Sequence, residues 1–472
     1  MISATIQKEL HECLSNRRLW LLLPLTLLLT IVAALDGWQR VTHHSELRNE
    51  VAVIERETWL NQGEANPHDA AHFGRYALRR VPGLSAFDPG ILDYSGASVW
   101  MEAHFQSPPS LRRAESRISS YPFVYGSPAW VLSVVIPLLL VVLLFGAVVV
   151  ERERRTLALL WIHNAHPFQL LLGKATAALL IAAALAVFLV LVSCAPIVLF
   201  RNVTIDWVRV LALVICFFVG YSSISGCVIL VSAIARSSQI AFWIASLLWL
   251  AMVSGPLLVA QVAKELHPVP RDRDFATYIQ QEAQAPFWLG QAQYEEVAIY
   301  EAEVMTQLRA MDAQKLGLNR DALVLQAHER FANRVYDRLY GELYEIHERQ
   351  EAMLRVTSVF SPILALQRVS SGIAGTDSSA QLHFAKSAEL HRRFIIKKLN
   401  EDMLHNAGED SFRYVANRNL WQDVEDFAYD ERSLREILQH YRLELVSIVL
   451  WAILSLVLAA VVLQVRAKAA TK

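Results

Sequence analysis

The run Trp130-Val-Leu-Ser-Val-Val-Ile-Pro-Leu-Leu-Leu-Val-Val-Leu-Leu-Phe-Gly-Ala-Val-Val-Val150, followed at once by Glu151-Arg-Glu-Arg-Arg155, decides the fold. Its apolar part carries no charge and matches the roughly 20 residues that a helix needs to cross about 30 Å of hydrocarbon. In lipid, a helix is the form that satisfies every backbone polar group from within one segment. The charged cluster then marks where the chain returns to water.

Five more stretches have the same character: Leu19–Leu35, Ala175–Phe200, Trp207–Val231, Ile240–Val262 and Leu445–Val465. The 472 residues are 54% apolar and 19% charged, with a mean hydropathy of +0.30. These values point to an all-α polytopic membrane protein with six transmembrane helices. Net charge is −1, so no global basic field draws the chain to nucleic acid. The segment before the first span carries Glu9 and Glu12, unlike the compact basic start of a cleaved secretory signal. Cys13, Cys194, Cys216 and Cys227 all lie outside the two large polar regions, which therefore fold without disulfides.

Lys and Arg in the short flanks set orientation. Lys8, Arg17 and Arg18, then Arg152, Arg154, Arg155 and Lys174, then Arg236, and finally Arg466, Lys468 and Lys472 fall on one side. The one short loop opposite has only Arg201. Both termini are therefore expected in the cytoplasm. The expected organisation is a cytoplasmic amphipathic helix (1–18), span one (19–35), a small mixed outer domain (36–129), and spans two to five (130–262) with a cytoplasmic coupling segment (151–174). A larger, mainly helical outer domain (263–442), span six (443–465) and a cytoplasmic tail (466–472) follow. Ile2, Ile6, Leu10 and Leu14 recur every four residues and give the N-terminal helix its apolar face.

Within the spans, Pro24, Pro137, Pro196 and Pro256 read as packing kinks. Ser222 and Gly226 form a small-residue face suited to close helix packing, and Arg209 is near enough to a span end to snorkel outward. No span interior contains Asp, Glu or His, which argues against ion-coupled transport.

Between spans two and three, Leu157, Leu160, Trp161 and then Phe168, Leu171, Leu172 recur at helical spacing, giving two short amphipathic helices broken near Pro167. The order Glu151-Arg152-Glu153-Arg154, then Thr156-Leu157 and a later Gly173-Lys174, resembles the first cytoplasmic loop of type II ABC-transporter permeases, including the nitrous-oxide-reductase maturation permease class. Arg155 stands where such loops usually have Gly, so a tighter or helical turn is expected there. His72-Phe-Gly-Arg-Tyr76, Leu84, Asp88-Pro-Gly90, Tyr94-Ser-Gly96 and Trp100-Met-Glu-Ala-His-Phe-Gln106 extend the likeness to a bacterial permease subfamily with two enlarged outer loops. Ser361-Pro362, Gly375-Thr-Asp377, Phe384, His391-Arg-Arg393 and Asn400 belong to the same likeness.

The resemblance implies a bacterial inner-membrane exporter subunit: a second permease copy or related permease beside it, and separate ABC ATPase subunits below. It also implies coupling through Glu151, Arg152, Glu153, Arg154, Thr156, Leu157, Leu160 and Trp161. ATP and magnesium would be held by the partner subunit, since Gly173-Lys174 is followed by Ala175 and lacks the earlier glycine of a phosphate-binding loop. The chain itself is expected to bind no cofactor and to be no enzyme. A membrane-anchored periplasmic assembly or receptor module that moves no cargo is the alternative.

In the first outer domain, Val81-Pro-Gly83 and Asp88-Pro-Gly90 mark turns, and Glu102-Ala-His-Phe-Gln106 alternates polar groups as one extended face. His43, His44, His68 and His72 add nitrogen donors; His68 and His72, four apart, are the weak metal candidates, with surface histidines the commoner explanation. In the second, Phe331, Val335, Leu339, Leu343 and Ile346 form a core stripe flanked by Tyr336, Tyr340 and Tyr344, on a helix that Pro362 ends. Ser370–Ser379 reads as a loop, Leu382–Met403 as a returning helix, and Leu434 onward as one helix running into span six. The outer domains offer a surface for a periplasmic partner, while the uniformly apolar spans say nothing of the cargo.

Overall fold

The computed structural model describes residues 1–112, 126–162, 166–200, 203–284, 291–308 and 318–470. Arg201 and Lys472, used above for orientation, lie outside them. Helix α1 (Ile2–Leu14) is followed by α2 (Arg17–Leu60), which carries span one and does not stop at the membrane surface. Its 44 residues make a rod of about 66 Å, twice the hydrocarbon thickness. Gly37 lets the emerging rod lie against Ala86: a Cβ there would sit 2.1 Å from the Ala86 carbonyl oxygen.

The first outer region adds α3 (Pro67–Phe73) and strands β1 (Arg75–Leu78), β2 (Gly96–Glu102), β3 (Phe105–Gln106) and β4 (Ser110–Arg112). Their antiparallel sheet has β2 paired with each of the other three. The single extended face expected over Glu102–Gln106 is instead a hairpin, turning at Ala103-His104 with His104 at a φ of 61°. Glu102 and Phe105 face each other across it.

Span two is α4 (Pro128–Glu153), with a π turn over Val131–Val135 and an irregular turn at 145–148. The Ser232 hydroxyl oxygen accepts the Val148 and Val149 N–H groups at 3.0 and 3.1 Å, so the broken backbone stays satisfied inside the bundle. Then come α5 (Thr156–Ile162), α6 (Pro167–Phe200), α7 (Trp207–Ile234) and α8 (Ser238–Leu266). Pro167 begins the long α6 at a position where its missing N–H costs nothing, so the second short amphipathic helix expected at 167–174 is the first part of span three.

The remaining helices are α9 (Asp272–Ile279), α10 (Gln291–Leu308), α11 (Arg320–Phe360), α12 (Pro362–Ala374), α13 (Ser378–Asn406), α14 (Arg418–Asp423), α15 (Leu434–His440) and α16 (Arg442–Ala470), which is span six. On α11 the buried stripe is Tyr336, Leu339 and Tyr340, with Val335 and Leu343 beside it, so two of the flanking tyrosines are themselves core. The loop expected over Ser370–Ser379 shrinks to 375–377. Ile373 and Ala374 are fully buried, which keeps the serine- and glycine-rich stretch helical up to Gly375 at φ 71°. The single helix expected from Leu434 into span six breaks at Tyr441, whose hydroxyl donates to Asp377 at 2.6 Å and whose ring packs against Gly372.

Both outer regions share one core, in which Trp59, Ala77, Val99 and Met101 pack with Phe384, Ile396, Leu399 and Trp421. The Trp59 indole donates to the Trp421 carbonyl at 2.9 Å and the Trp421 indole to Gly63 at 2.8 Å. A second core crosses from the outer region into the bundle: Ile363, Leu366, Val369 and Ile373 of α12 pack with Leu132, Phe217 and Tyr221 of the spans. Arg209 is buried, with its guanidinium donating to the Ile373 and Arg432 carbonyls and facing Glu431 at 3.1 Å. Gly226 lies against Ser455 of α16, and Ser222 donates to the Phe218 carbonyl one turn earlier in its own helix.

Leu366 is fully buried at the junction and touches Gly220. Leu366→Ala is expected to cost about 2–5 kcal/mol, as for other large-to-small core changes. Because the core is common to both parts, thermal unfolding in detergent should show the outer region and the bundle destabilised together. Separate melts with only one of them shifted would contradict the shared core.

Candidate functional site

The end of the bundle that carries both termini is tied together by charge. The carboxylate of Glu151, where α4 ends, meets the ammonium groups of Lys8 on α1 and Lys174 on α6, the latter at 3.0 Å. Lys174 also binds Glu9 of α1. Lys174 and Glu151 are buried, which is tolerable only because each finds its counter-charge. Burial alone would lower the Lys8 pKa, but the hydrogen bond and charge of Glu151, with Glu9 and Glu12, raise it instead. Gly173 has a separate role: a Cβ there would lie 2.6 Å from Thr5, so its absence lets α1 seat on span three.

The neighbouring groups of the expected coupling cluster are engaged in the same way. The Arg152 guanidinium donates to the Ala235 carbonyl, and Glu153 accepts the Ser238 N–H at 2.7 Å. Arg466 at the end of α16 donates to the Ile234 carbonyl at 2.8 Å, so three charged side chains grip the turn between spans four and five. Arg155 completes a tight turn, its N–H donating to the Arg152 carbonyl at 3.0 Å, and adopts φ 60°, the left-handed region that favours Gly. Thr156 then opens α5 with its hydroxyl donating to the Glu151 carbonyl at 3.0 Å.

Leu157 is buried, Leu160 and Trp161 are half-buried, and Arg154, Arg155, Leu159 and Arg236 are exposed. Sequence reasoning did not single out Leu159, an exposed apolar side chain of α5, because helical spacing alone does not say which face of α5 meets the core. A cavity of about 910 Å³ lies behind this face, lined by Thr5, Lys8, Phe145, Arg154, Leu160 and Lys174 among others. His163, Asn164 and Ala165, in the same segment, lie outside the described residues.

At the opposite end, His68 and His72 lie one turn apart on α3 with their Nε2 atoms 3.2 Å apart. The Asn66 side chain caps this helix by accepting the His68 N–H at 2.9 Å, and its amide donates to the Ser411 and Tyr414 carbonyls. Sequence spacing did not show the third member, His104, whose nitrogen comes within 4.8 Å of both. Burial, with the neighbouring His72 and His104, pushes His68 down to about 4, so its ring is neutral at pH 7. His43 and His44 lie apart from this group, their rings 5.6 Å from one another.

Residues 100–281, from β2 through span five, match the family model of ABC-2 family transporter proteins. Residues 279–430, most of the second outer region, match a domain of unknown function, DUF3526. No curated protein and no solved structure matches the chain. The chain is thus a multi-pass helical membrane protein with a segment that matches the ABC-2 family transporter model.

Lys174→Met removes the buried cation between two carboxylates and is expected to lower stability by about 3 kcal/mol or more, the scale of breaking a buried pair. Lys8→Ala, at a half-exposed position, should cost far less. Melting temperatures of the two variants in detergent test this; equal effects would mean that the network is not what holds α1 to the bundle.

Proposed function

We propose that this chain is the membrane-spanning permease subunit of an ATP-driven transporter in a bacterial inner membrane, working as an exporter with both termini in the cytoplasm. A separate ABC subunit supplies the ATP- and magnesium-binding site, and a second permease, a copy or a relative, completes the pathway. The observation that carries the reading is the ABC-2 match over 100–281, which covers spans two to five and the charged segment after span two. Arg154 and Leu159 are exposed on that segment and Leu160 and Trp161 half-buried, the face a docking partner would meet, while Glu151, Arg152 and Glu153 brace it from behind.

The shared core formed by α12 favours transport over a passive anchor, because displacement of spans two, four or six must also displace the outer region. The nitrous-oxide-reductase maturation class remains the nearest analogy by resemblance, and a periplasmic partner would meet the outer region.

Two measurements test the reading. With native Cys13 replaced by Ser, an impermeant thiol reagent applied from outside should label Glu64→Cys and spare Thr156→Cys; the opposite pattern would invert the topology. Trp161→Ala should reduce co-purification of the ATPase while membrane insertion is unchanged, since an aromatic anchor at an interface centre is typically worth about 2 kcal/mol or more. Full retention of the ATPase by that variant would remove α5 as the docking element.

A further inference from the structure

The three-histidine group of the outer region is built as a metal site is built. The 3.2 Å between the His68 and His72 Nε2 atoms suits a ring-to-ring hydrogen bond, but it is also close to the roughly 3.3 Å between two nitrogens bound at about 2.0–2.1 Å to one tetrahedral ion. His104 decides between the two. It approaches from a different element, the β2–β3 turn, with its ring 5.6 Å from that of His68 and 5.3 Å from that of His72. A hydrogen-bonded pair has no need of a third ring, whereas an ion does.

His104 is also held as a ligand is held. Its Nδ1 lies 2.9 Å from Glu329 Oε1, and the same carboxylate accepts its backbone N–H. With Nδ1 turned to a carboxylate, Nε2 is the ring nitrogen that would meet an ion; a carboxylate behind a histidine is the usual support of a metal ligand. Arg392 reaches Glu329 at 2.9 Å and is itself gripped by both oxygens of Glu389. The backbone of His104 sits in the left-handed region, a strained conformation that is tolerated where a side chain must be aimed.

We propose that His68, His72 and His104 bind a divalent transition-metal ion of the zinc class, with Glu329 orienting His104 and the fourth position open to solvent. Three imidazoles without a thiolate suit such an ion, and His72 is exposed while His68 and His104 are partly buried, which leaves one side accessible. On binding, the third nitrogen closes by about 1–1.5 Å toward tetrahedral spacing. The ion then links α3 to the hairpin and, through Glu329 and Arg392, to α11 and α13.

The test uses the full chain in detergent, stripped with chelator and titrated with Zn2+ alone, followed by calorimetry and by melting temperature. One Zn2+ per chain and a raised melting temperature are expected. His104→Asn, which tolerates the left-handed backbone, should lose at least 100-fold in affinity, and Glu329→Gln about 10–100-fold. His44→Ala should bind as the unaltered chain does. Absence of binding by the unaltered chain, or undiminished affinity in a His104→Asn protein whose ion-free melting temperature is unchanged, would overturn the proposal.

Discussion

The burial of α12 is the constraint on which the rest depends. This helix places Ile363, Leu366, Val369 and Ile373 among side chains of spans two and four, and it is held there by polar bonds at both ends. Ser361 donates to the Met252 carbonyl of span five at 2.9 Å, and Gln367 to Ser133 of span two at 3.2 Å. Arg368 lies 2.9 Å from the fully buried Glu444 at the start of span six and 2.6 Å from Glu351. Ser370 donates to Asp88 of the first outer region at 2.6 Å. A charge as deeply placed as Glu444 is affordable only with such a partner, so the pairing fixes where span six begins relative to α12.

Much of this was legible in the sequence where a single physical rule acts alone. The apolar runs decide the spans because no other structure satisfies their backbone in lipid. Pro362 ends α11 because the residue before a proline is driven out of the helical region. The helix through Ser370–Ala374 was not legible, since its composition favours a loop and only the core around Ile373 and Ala374 reverses that preference. The break at Tyr441 was hidden for the same reason: it comes from Asp377 and Gly372, both more than sixty residues upstream.

The two candidate sites differ in legibility on the same grounds. His68 and His72 are visible as a pair because helical spacing alone brings them together, while His104 joins them only through strand pairing and Glu329 only through the packing of α11. In the charged segment after span two, the sequence shows which residues are charged but not which way they face. Glu151 looks like part of an exposed cluster and is instead a buried partner of Lys174, while Glu153 stays exposed and accepts the Ser238 N–H. Arg155 is the sharpest case: its type speaks against a left-handed turn, yet it stands at φ 60° in the two-residue turn between the helices.

These placements bear on how force would pass through the molecule. Packed cores change between discrete arrangements and do not stretch, so a displacement at one end is carried to the other through the elements in contact. At the end with the termini, Arg152, Glu153 and Arg466 hold the turn between spans four and five, so movement of α5 and the end of span two pulls that turn with it. Span four then runs directly to α12, where Gly220 meets Leu366. Beyond it, α11 runs for 41 residues from the membrane end of the outer region to the neighbourhood of His104 and Glu329. The helices in between have no glycine-rich linker or free loop to absorb motion, since 375–377 is bonded to Tyr441, Arg79 and the first outer region. A change in the grip on α5 therefore has a continuous packed route to the outer region, and the same route runs in reverse.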